Sequence, residues 1–455
     1  MIFLTSRNDN IYKFLINIFS KKFFKNKKIK ENIIHFKILK KYDYLFLLNF
    51  ITKILFLRVL SKNDIVRLKF RNVNYGRFLI SVIYKDVRSY DSNRIFYFNL
   101  IKNVIIISRF YSTASYLIKN YNVGAVYLDH CMYLNGILFE IFRNERKVLY
   151  ANNYPKDLIE IRPSSKNFSI QDCFKLYKKN KKIEEKKIKV IKKLQNQILK
   201  GKKIFYPWMI NTKYKNKKFE NFGQFDYVVY SHSFTDAQLI WGYDGFVNAY
   251  EWLDFTIKNL VNRNKNVLVK AHPNFYLKNT KLCIHERYLF KKIISKYRLN
   301  KRISFLNVPV SNYDVMSRLN KKCIAITHHG SVGLELLLNN FKVINSVCNF
   351  YDKKFNLSNQ WSNKNDYEKI LNLDWHRLKH HKQFDLLKIC NQLFLSETGY
   401  LSKNYHEKIL FNYLVKKKIV NRLSSVEGIS QKFELIKNKD KFLENLKADV
   451  HSVKI

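Results

Sequence analysis

The sequence predicts an α/β protein whose sheets are largely parallel, and two observations support that fold class. Between residues 226 and 347, short runs rich in β-branched residues alternate with segments of helical length, as in a doubly wound sheet. The 455 residues are 47% hydrophobic and 16% aromatic, so the chain can bury a large core despite a formal net charge of +49. A chain of this length fits two or three domains of about 150 residues each.

The first predicted domain covers residues 1–215 and has a basic amphipathic start. Phe14–Phe24 mixes aromatic and aliphatic residues with lysine, which suits either an anionic bilayer surface or a helix packed on its own domain. An exposed, lysine-rich helix with one apolar stripe is predicted between Lys175 and Lys203. Four β-rich runs are predicted strands: Arg77–Tyr84, Val104–Ser108, Ala125–Leu128 and Lys147–Tyr150.

The second predicted domain covers residues 216–400, and a helical tail is predicted over 401–455. Ligands of doubly wound sheets bind at the carboxyl ends of the strands, so the residues after each strand are the first candidates for a site. The predicted elements of this domain alternate: strand Asp226–Ser231, helix Phe246–Val261, strand Asn266–Lys270, helix Glu286–Tyr297, strand Ile303–Leu306, helix Tyr313–Leu319, strand Cys323–Thr327, helix Val332–Leu338 and strand Lys342–Ser346.

The charge, from 84 Lys+Arg against 35 Asp+Glu, is compatible with a nucleic-acid or anionic-surface partner. However, the chain has only 11 Gly and 5 Pro and is rich in residues with AT-rich codons, so compositional drift explains most of the lysines. The lysines occur in every segment and no recognition motif is present, so we predict no nucleic-acid partner. A glycine or proline that remains in such a background is expected to be needed by the backbone.

The six cysteines are scattered, with no Cys-x-x-Cys pair and no matching histidine spacing. This pattern predicts free thiols in a reduced compartment and no metal site. The N-terminus lacks the features of a secretory signal, and the apolar stretch Tyr44–Leu60 is interrupted by Asn49, Lys53 and Arg58. We therefore expect a cytoplasmic protein, with the inner face of the cytoplasmic membrane as a further option.

One strand end carries a cation and an imidazole. The strand over residues 266–270 runs directly into Lys270-Ala-His-Pro-Asn274. Because Pro273 disfavours helical geometry at His272, the turn is fixed and can present Lys270 and His272 to an anion. The alternative is structural: a histidine that caps the strand and a lysine whose ammonium reaches solvent.

A second strand end is rich in glycine. Thr327-His-His-Gly-Ser-Val-Gly-Leu-Glu335 uses two of the 11 glycines, with Gly330 at the turn and Ser331 as a predicted helix cap. The first amides of that helix would form a phosphate site. Glu335 lies one turn into the helix and could reach paired hydroxyls such as those of a ribose. The two loops together predict a crevice for a nucleotide monophosphate or diphosphate.

These motifs resemble a known family. Lys270-Ala-His-Pro273, followed by Thr-x-x-Gly-Ser-Val-Gly-Leu-Glu335, is similar to the C-terminal half of GT-B glycosyltransferases of bacterial surface polysaccharides, most of all the capsule polysaccharide biosynthesis proteins that include Kdo transferases. The resemblance covers residues 226–347, including Ser231–Gln238. It is fainter over Asn74–Arg77 and Leu128–Gly136, which look like the acceptor-side half.

The resemblance implies a GT-B fold, with two Rossmann-like domains facing a central cleft. It also implies that Lys270 and His272 contact the donor phosphate, that Gly330, Ser331 and Val332 add hydrogen-bond donors, and that Glu335 binds the ribose. Pro273 and His329 complete the donor-binding set. Positive charge and amide dipoles would stabilise the departing nucleotide without a metal. The expected co-substrate is a nucleotide-sugar, with a CMP-linked donor favoured, and no other cofactor.

A general base must deprotonate the acceptor hydroxyl. Asp129 and His130 follow the predicted strand Ala125–Leu128, and Asp236 follows the strand Asp226–Ser231. Asp129 with His130 is the preferred candidate and Asp236 the competitor, and each could instead be a structural cap.

The leading hypothesis is a metal-independent glycosyltransferase that moves a sugar, Kdo or another acidic sugar, to a surface glycan or a lipid-linked precursor. A CDP-glycerol-type polyol-phosphate transferase shares the His-Pro loop and is the nearest alternative. A sugar-nucleotide 2-epimerase shares the phosphate turn, but its compact form is unlike this long lysine-rich N-terminal half. The alternatives of another class are a basic nucleic-acid-binding protein and a glycan-binding scaffold without catalysis.

Overall fold

The computed structural model describes residues 2–5, 34–37, 41–56, 61–120, 125–128, 133–144, 148–151, 224–236, 238–239, 242–276, 281–330, 332–349, 352 and 356–380. These residues fall into two compact units. The first unit holds the described residues of Met1–Val82 and Tyr97–Phe168, and the second holds those of Ile83–Phe96 and Ser169–Leu401.

Several predictions lie outside the described residues. They are the amphipathic start Phe14–Phe24, the lysine-rich helix between Lys175 and Lys203, both predicted domain boundaries and the tail 401–455. Membrane contact of the basic start therefore stays a prediction. None of the helices in the described ranges combines the length and the apolar character of a membrane-spanning segment.

The first unit contains a four-stranded parallel sheet in the order β2-β1-β3-β4. The predicted strands Ala125–Leu128 and Lys147–Tyr150 are confirmed. The strands are β1 Ile2–Thr5, β2 Ile34–Lys37, β3 Ala125–Leu128 and β4 Val148–Ala151. The described helices before residue 145 are α1 Tyr44–Phe56, α2 Lys62–Val66, α3 Gly76–Ile83, α4 Arg88–Asp91, α5 Asn93–Asn120 and α6 Tyr133–Asn144. Of these, α4 and the start of α5 belong to the second unit.

The predicted strands Arg77–Tyr84 and Val104–Ser108 are wrong, because both segments are helical. In α5, buried residues recur at helical spacing through Phe96, Leu100, Val104, Ile107 and Tyr111. The opposite face is apolar as well, with Phe98, Ile101 and Ile105 exposed. Apolar residues on both faces produced a continuous β-branched run that hid the helical period.

The second unit contains a six-stranded, wholly parallel sheet in the order β10-β9-β8-β5-β6-β7. The α/β fold class is thus confirmed, and every predicted element between residues 226 and 346 is present. The strands are β5 Tyr227–Tyr230, β6 Val267–Lys270, β7 Ile303–Leu306, β8 Ile324–Thr327, β9 Val343–Ser346 and β10 Asn359–Trp361. The helices are α7 Ala249–Asn262, α8 Lys281–Tyr297, α9 Asn312–Arg318, α10 Val332–Leu338 and α11 Lys364–Leu371.

The core of the second unit holds the central strands against helix α7. Val229, Val269 and Ile326 are fully buried in the sheet and belong to one cluster with Trp252 and Ile257 of α7. Helix α7 begins where it does because Asn248 caps it, its side-chain oxygen accepting the Glu251 N–H at 2.7 Å. This packing fixes the central strands from which the candidate site is built.

The strand order places a topological switch point between β5 and β8. From β5 the chain moves to β6 and β7 on one side, and then crosses to β8, β9 and β10 on the other. In the register, Tyr230 of β5 lies opposite both Lys270 of β6 and Thr327 of β8. The carboxyl ends of these three strands are therefore level, at the edge where open α/β sheets bind ligands.

Candidate functional site

Four histidines follow the three level strands. His232 follows β5, His272 follows β6, and His328 and His329 directly follow β8. The rings of His232 and His272 are parallel, with centroids 6.0 Å apart. The ring of His232 also lies 5.6 Å from that of His329, and the rings of His328 and His329 stack at 3.8 Å. We call these four residues the histidine cluster.

The two half-buried imidazoles of the cluster have different tautomers. The Asn274 N–H donates to Nδ1 of His272 at 3.2 Å, so the proton of a neutral His272 lies on Nε2. Nδ1 of His232 lies 3.2 Å from the Ser233 carbonyl, which only accepts, so the proton of a neutral His232 lies on Nδ1. His272 thus offers a donor at Nε2, and His232 offers a lone pair there.

Both imidazoles are neutral at pH 7. Burial, followed by the nearby His329, lowers the pKa of His232 to about 4. Burial, followed by His232 and Lys270, lowers the pKa of His272 to about 3. An anion bound between them would raise both values, because it favours the protonated form.

Lys270 supplies a cation that the sheet has almost closed off from water. The residue is 2% exposed, and its ammonium lies 5.8 Å from the centre of the Tyr230 ring. Burial lowers the pKa of Lys270 to about 8, and the opposing charge of Glu335 limits the drop. Lys270 is therefore mostly protonated at neutral pH, and an anion bound nearby would raise its pKa.

Glu335, the predicted ribose ligand, has a partner in the structure. Its Oε2 accepts the side-chain N–H of Asn312 at 2.6 Å, which ties α10 to α9. Burial raises the pKa of Glu335, against the effects of Asn312 and Lys270. The charges of Glu335 and Lys270 therefore interact, and each favours the ionised form of the other.

The sequence predicted that Gly330 is needed for the backbone conformation of the turn, and the structure gives a different reason. Gly330 has no positive φ; a Cβ there would instead lie 2.8 Å from Oγ1 of Thr327, so glycine is needed for space. The Gly333 amide already donates to the Gly330 carbonyl at 3.1 Å. Helix α10 starts at Val332 and has only seven residues, and the predicted cap Ser331 lies outside the described residues.

The general-base candidates are only partly described. Asp129 and His130 fall in the gap between β3 and α6 and lie outside the described residues. Asp236 is exposed, and its charge opposes the lowering of the His232 pKa. Of the three, Asp236 is the residue that the structure brings near the histidine cluster.

A buried glutamate holds the loop after β5. Glu286 of α8 is 1% exposed and accepts hydrogen bonds from the Ser233 hydroxyl at 2.5 Å, the Phe234 N–H at 3.0 Å, and the Thr235 N–H and hydroxyl at 3.1 and 2.9 Å. Burial raises its pKa, and these hydrogen bonds oppose the rise. The carboxylate fixes the loop that carries His232.

A buried carboxylate lies against the other end of the cluster. Asp244 is fully buried, and its Oδ2 lies 2.8 Å from Nε2 of His328 and 3.6 Å from Nε2 of His329. One ligand-type atom from each of these three residues lies within 4.8 Å of the other two. Among the described residues, this is the group with the chemistry to hold a metal ion.

Sequence reasoning missed His232, His328, Asp244 and Glu286. His232 and His328 follow strands that were predicted correctly, so their positions were available. Asp244 had a weaker signal, since Gly242 and Gly245 flank it in a glycine-poor chain. Glu286 had none, because only the folded chain brings α8 to the β5 loop.

Part of the chain is similar to a known glycosyltransferase. The chain is similar to GDP-fucose protein O-fucosyltransferase 2 of Plasmodium berghei (strain Anka), with 25% identity over 268 residues, 56% of this chain and 50% of the relative. It therefore spans about half the length of the curated relative that it matches. No family model matches the sequence.

Two solved structures are similar at low TM-scores. One is Thermosulfurimonas dismutans KpsC, beta Kdo 2,4 transferase, with a TM-score of 0.34 and 13% identity over 59% of this chain and 79% of that one. The other is Methanocaldococcus jannaschii UDP-GlcNAc 2-epimerase in complex with UDP-GlcNAc and UDP, with a TM-score of 0.25 and 13% identity over 85% of this chain and 97% of that one. At these TM-scores, neither structure carries an argument about the site.

Proposed function

We propose that the chain is a glycosyltransferase that holds the phosphate of a nucleotide-sugar donor at the carboxyl edge of the β5, β6 and β8 strands. The observation that carries the proposal is the position of Lys270 and His272 at the end of β6, beside His232 and His329. A phosphate there meets a buried ammonium and an imidazole N–H donor, groups suited to an anion.

These groups also suit the chemistry of the transfer. As the bond from the sugar to the nucleotide breaks, negative charge grows on the departing phosphate. The Lys270 ammonium and the Nε2–H of His272 stabilise that charge in surroundings largely shielded from water, where electrostatic effects are strongest. His272 does this as a neutral imidazole, since its Nδ1 accepts the Asn274 N–H.

The proposal extends to the identity of the donor and the acceptor. We favour a CMP-linked acidic sugar such as Kdo, and a surface glycan or lipid-linked precursor as acceptor. Because the similar fucosyltransferase carries GDP-fucose in its name, GDP-linked sugars belong among the donors to be tested. Asp236 and the pair Asp129 with His130 remain the proposed general bases.

Turnover of a donor panel tests this function. The full chain is incubated with CMP-, CDP-, UDP- and GDP-linked sugars and a glycan or lipid extract, and the nucleotide released is measured. We expect release from at least one donor, and we expect Lys270→Met to lower kcat by about 100-fold or more, as for loss of a transition-state donor. Lys258→Met, at an exposed lysine of α7, is the matched control and should retain activity. Release from no donor, or full activity of Lys270→Met, would contradict the proposal.

A further inference from the structure

The loop before α7 is shaped to bring a carboxylate to the histidines after β8. Gly242 and Gly245 have φ of +144° and +102°, in the region that side chains rarely adopt. A Cβ on Gly242 would lie 2.5 Å from Sγ of Cys348, and one on Gly245 would lie 2.7 Å from the Lys364 backbone nitrogen. The tight turn that places Asp244 beside His328 and His329 therefore depends on two of the 11 glycines.

The side chain of Asp244 is buried, so its negative charge needs a positive partner. Asp244 is 0% exposed, and within the described ranges its ion pairs up to 4.0 Å are with His328 and His329 alone. Oδ2 of Asp244 and Nε2 of His328 are 2.8 Å apart but lack the alignment of a hydrogen bond. The Phe246 N–H donates to the other carboxylate oxygen, Oδ1, at 3.4 Å, so the buried charge on Oδ2 faces the two imidazoles. A buried carboxylate is costly, and a cation bound at Oδ2 would lower that cost.

The separations fit one metal ion. At metal–ligand distances of about 2.0–2.1 Å, separations of this size correspond to ligand–metal–ligand angles of roughly 85° and 125°. The His328 ring is also held in place, since it stacks on Trp252 at a centroid distance of 5.0 Å and on His329 at 3.8 Å. The rings of His328 and His329 are inclined by 22°, so their Nε2 lone pairs do not converge on one point. Coordination of the same ion therefore requires the His329 ring to turn, while His328 keeps its place against Trp252.

We propose that Asp244, His328 and His329 form a binding site for a divalent first-row transition metal ion, with Zn²⁺ as the best match. Two imidazoles and one carboxylate favour such an ion over Mg²⁺ or Ca²⁺, which prefer all-oxygen ligands. Three protein ligands leave a coordination position for a water or a substrate oxygen. The site joins the loop Gly242–Gly245 to the end of β8, and it does not depend on the proposed transferase activity.

Metal titration of the full chain tests the site. The purified protein is stripped with a chelator and titrated with Co²⁺, whose visible absorption reports coordination, and Zn²⁺ is then added as competitor. We expect one equivalent of Co²⁺ to bind and to be displaced by Zn²⁺, and Mg²⁺ to have no effect. Asp244→Asn and His329→Gln should each weaken binding by about 100-fold, since even loss of an outer-shell partner costs roughly 10- to 100-fold.

The control is His376→Gln, at an exposed histidine, which should bind as the wild type does. Thermal unfolding of the wild-type chain gives a second readout that needs no variant, because an ion that binds only the folded state raises Tm. The proposal is overturned if Zn²⁺ leaves the wild-type Tm unchanged. It is equally overturned if folded Asp244→Asn and His329→Gln bind Co²⁺ as tightly as the wild type.

Discussion

At the scale of single residues, the histidine cluster combines groups with different tasks. Nε2 of His272 is a donor and Nε2 of His232 is an acceptor, because neighbouring backbone groups engage the other ring nitrogen of each. His328 and His329 are buried against Asp244. The sequence predicted Lys270, His272 and His329 as site residues, since Lys270 ends a strand and the two histidines follow strands. The tautomers depend on local hydrogen bonds and could not be predicted from sequence.

Lys270 should make nucleotide binding depend on pH in the alkaline range. Burial lowers its pKa to about 8, so a rise in pH above 8 removes the charge that attracts the phosphate. The affinity of the wild type should then fall by up to about tenfold per pH unit, since one pKa unit is about 1.4 kcal/mol. Titration calorimetry from pH 7 to 9.5 measures this, in a range where the nucleotide phosphate is already ionised.

Lys270→Met is the comparison variant for that pH series. It should bind more weakly at pH 7 and show no further loss between pH 8 and 9.5. A wild-type affinity that stays constant across the range would show that Lys270 does not act on the ligand as a charge.

At the scale of elements, local signals predicted some segments well and others poorly. Strands β5 to β9 were predictable because short β-branched runs are bounded by helical segments with polar faces. Strand β10, with the sequence Asn-Gln-Trp, contains no β-branched residue and was not predicted. Helix α5 was not, because Phe98, Ile101 and Ile105 give its exposed face an apolar character. The contact between α8 and the β5 loop could not be predicted, since Glu286 and Ser233 are far apart in sequence.

Glu286 should contribute strongly to the stability of the second unit. In Glu286→Ala, the hydroxyls and amides of Ser233–Thr235 lose their acceptor while buried, at about 1–3 kcal/mol for each unsatisfied group. We expect the free energy of unfolding to fall by about 3 kcal/mol or more in denaturant titration. Glu286→Gln should lose less, because the amide oxygen still accepts.

Glu368→Ala is the matched control for this measurement. Glu368 is exposed on α11, so its loss should change stability by about 0.5 kcal/mol or less. Equal losses for Glu286→Ala and Glu368→Ala would show that the hydrogen bonds to Glu286 do not stabilise the fold.

At the scale of the whole molecule, composition was informative in an unexpected way. The net charge of +49 says little about the site, whereas the scarcity of glycine does. Gly330 is needed for space beside Thr327, and Gly242 and Gly245 are needed for their backbone conformation around Asp244. The sequence could predict the doubly wound sheet and the loops that matter. It predicted that the loops after β6 and β8 form one crevice. It did not predict that β5 lies between these strands and adds His232, because strand order is set by pairing in the folded sheet.

The central claim is that this strand edge binds the nucleotide of a sugar donor. A thermal-shift series with CMP, CDP, UDP and GDP tests it most directly, because a ligand at about 100 times its Kd stabilises the folded chain by about 2.7 kcal/mol. We predict that at least one nucleotide raises the Tm of the wild type and of the control His376→Ala, and that His272→Ala removes most of the rise. No rise with any nucleotide, or an equal rise in His272→Ala, would contradict the claim.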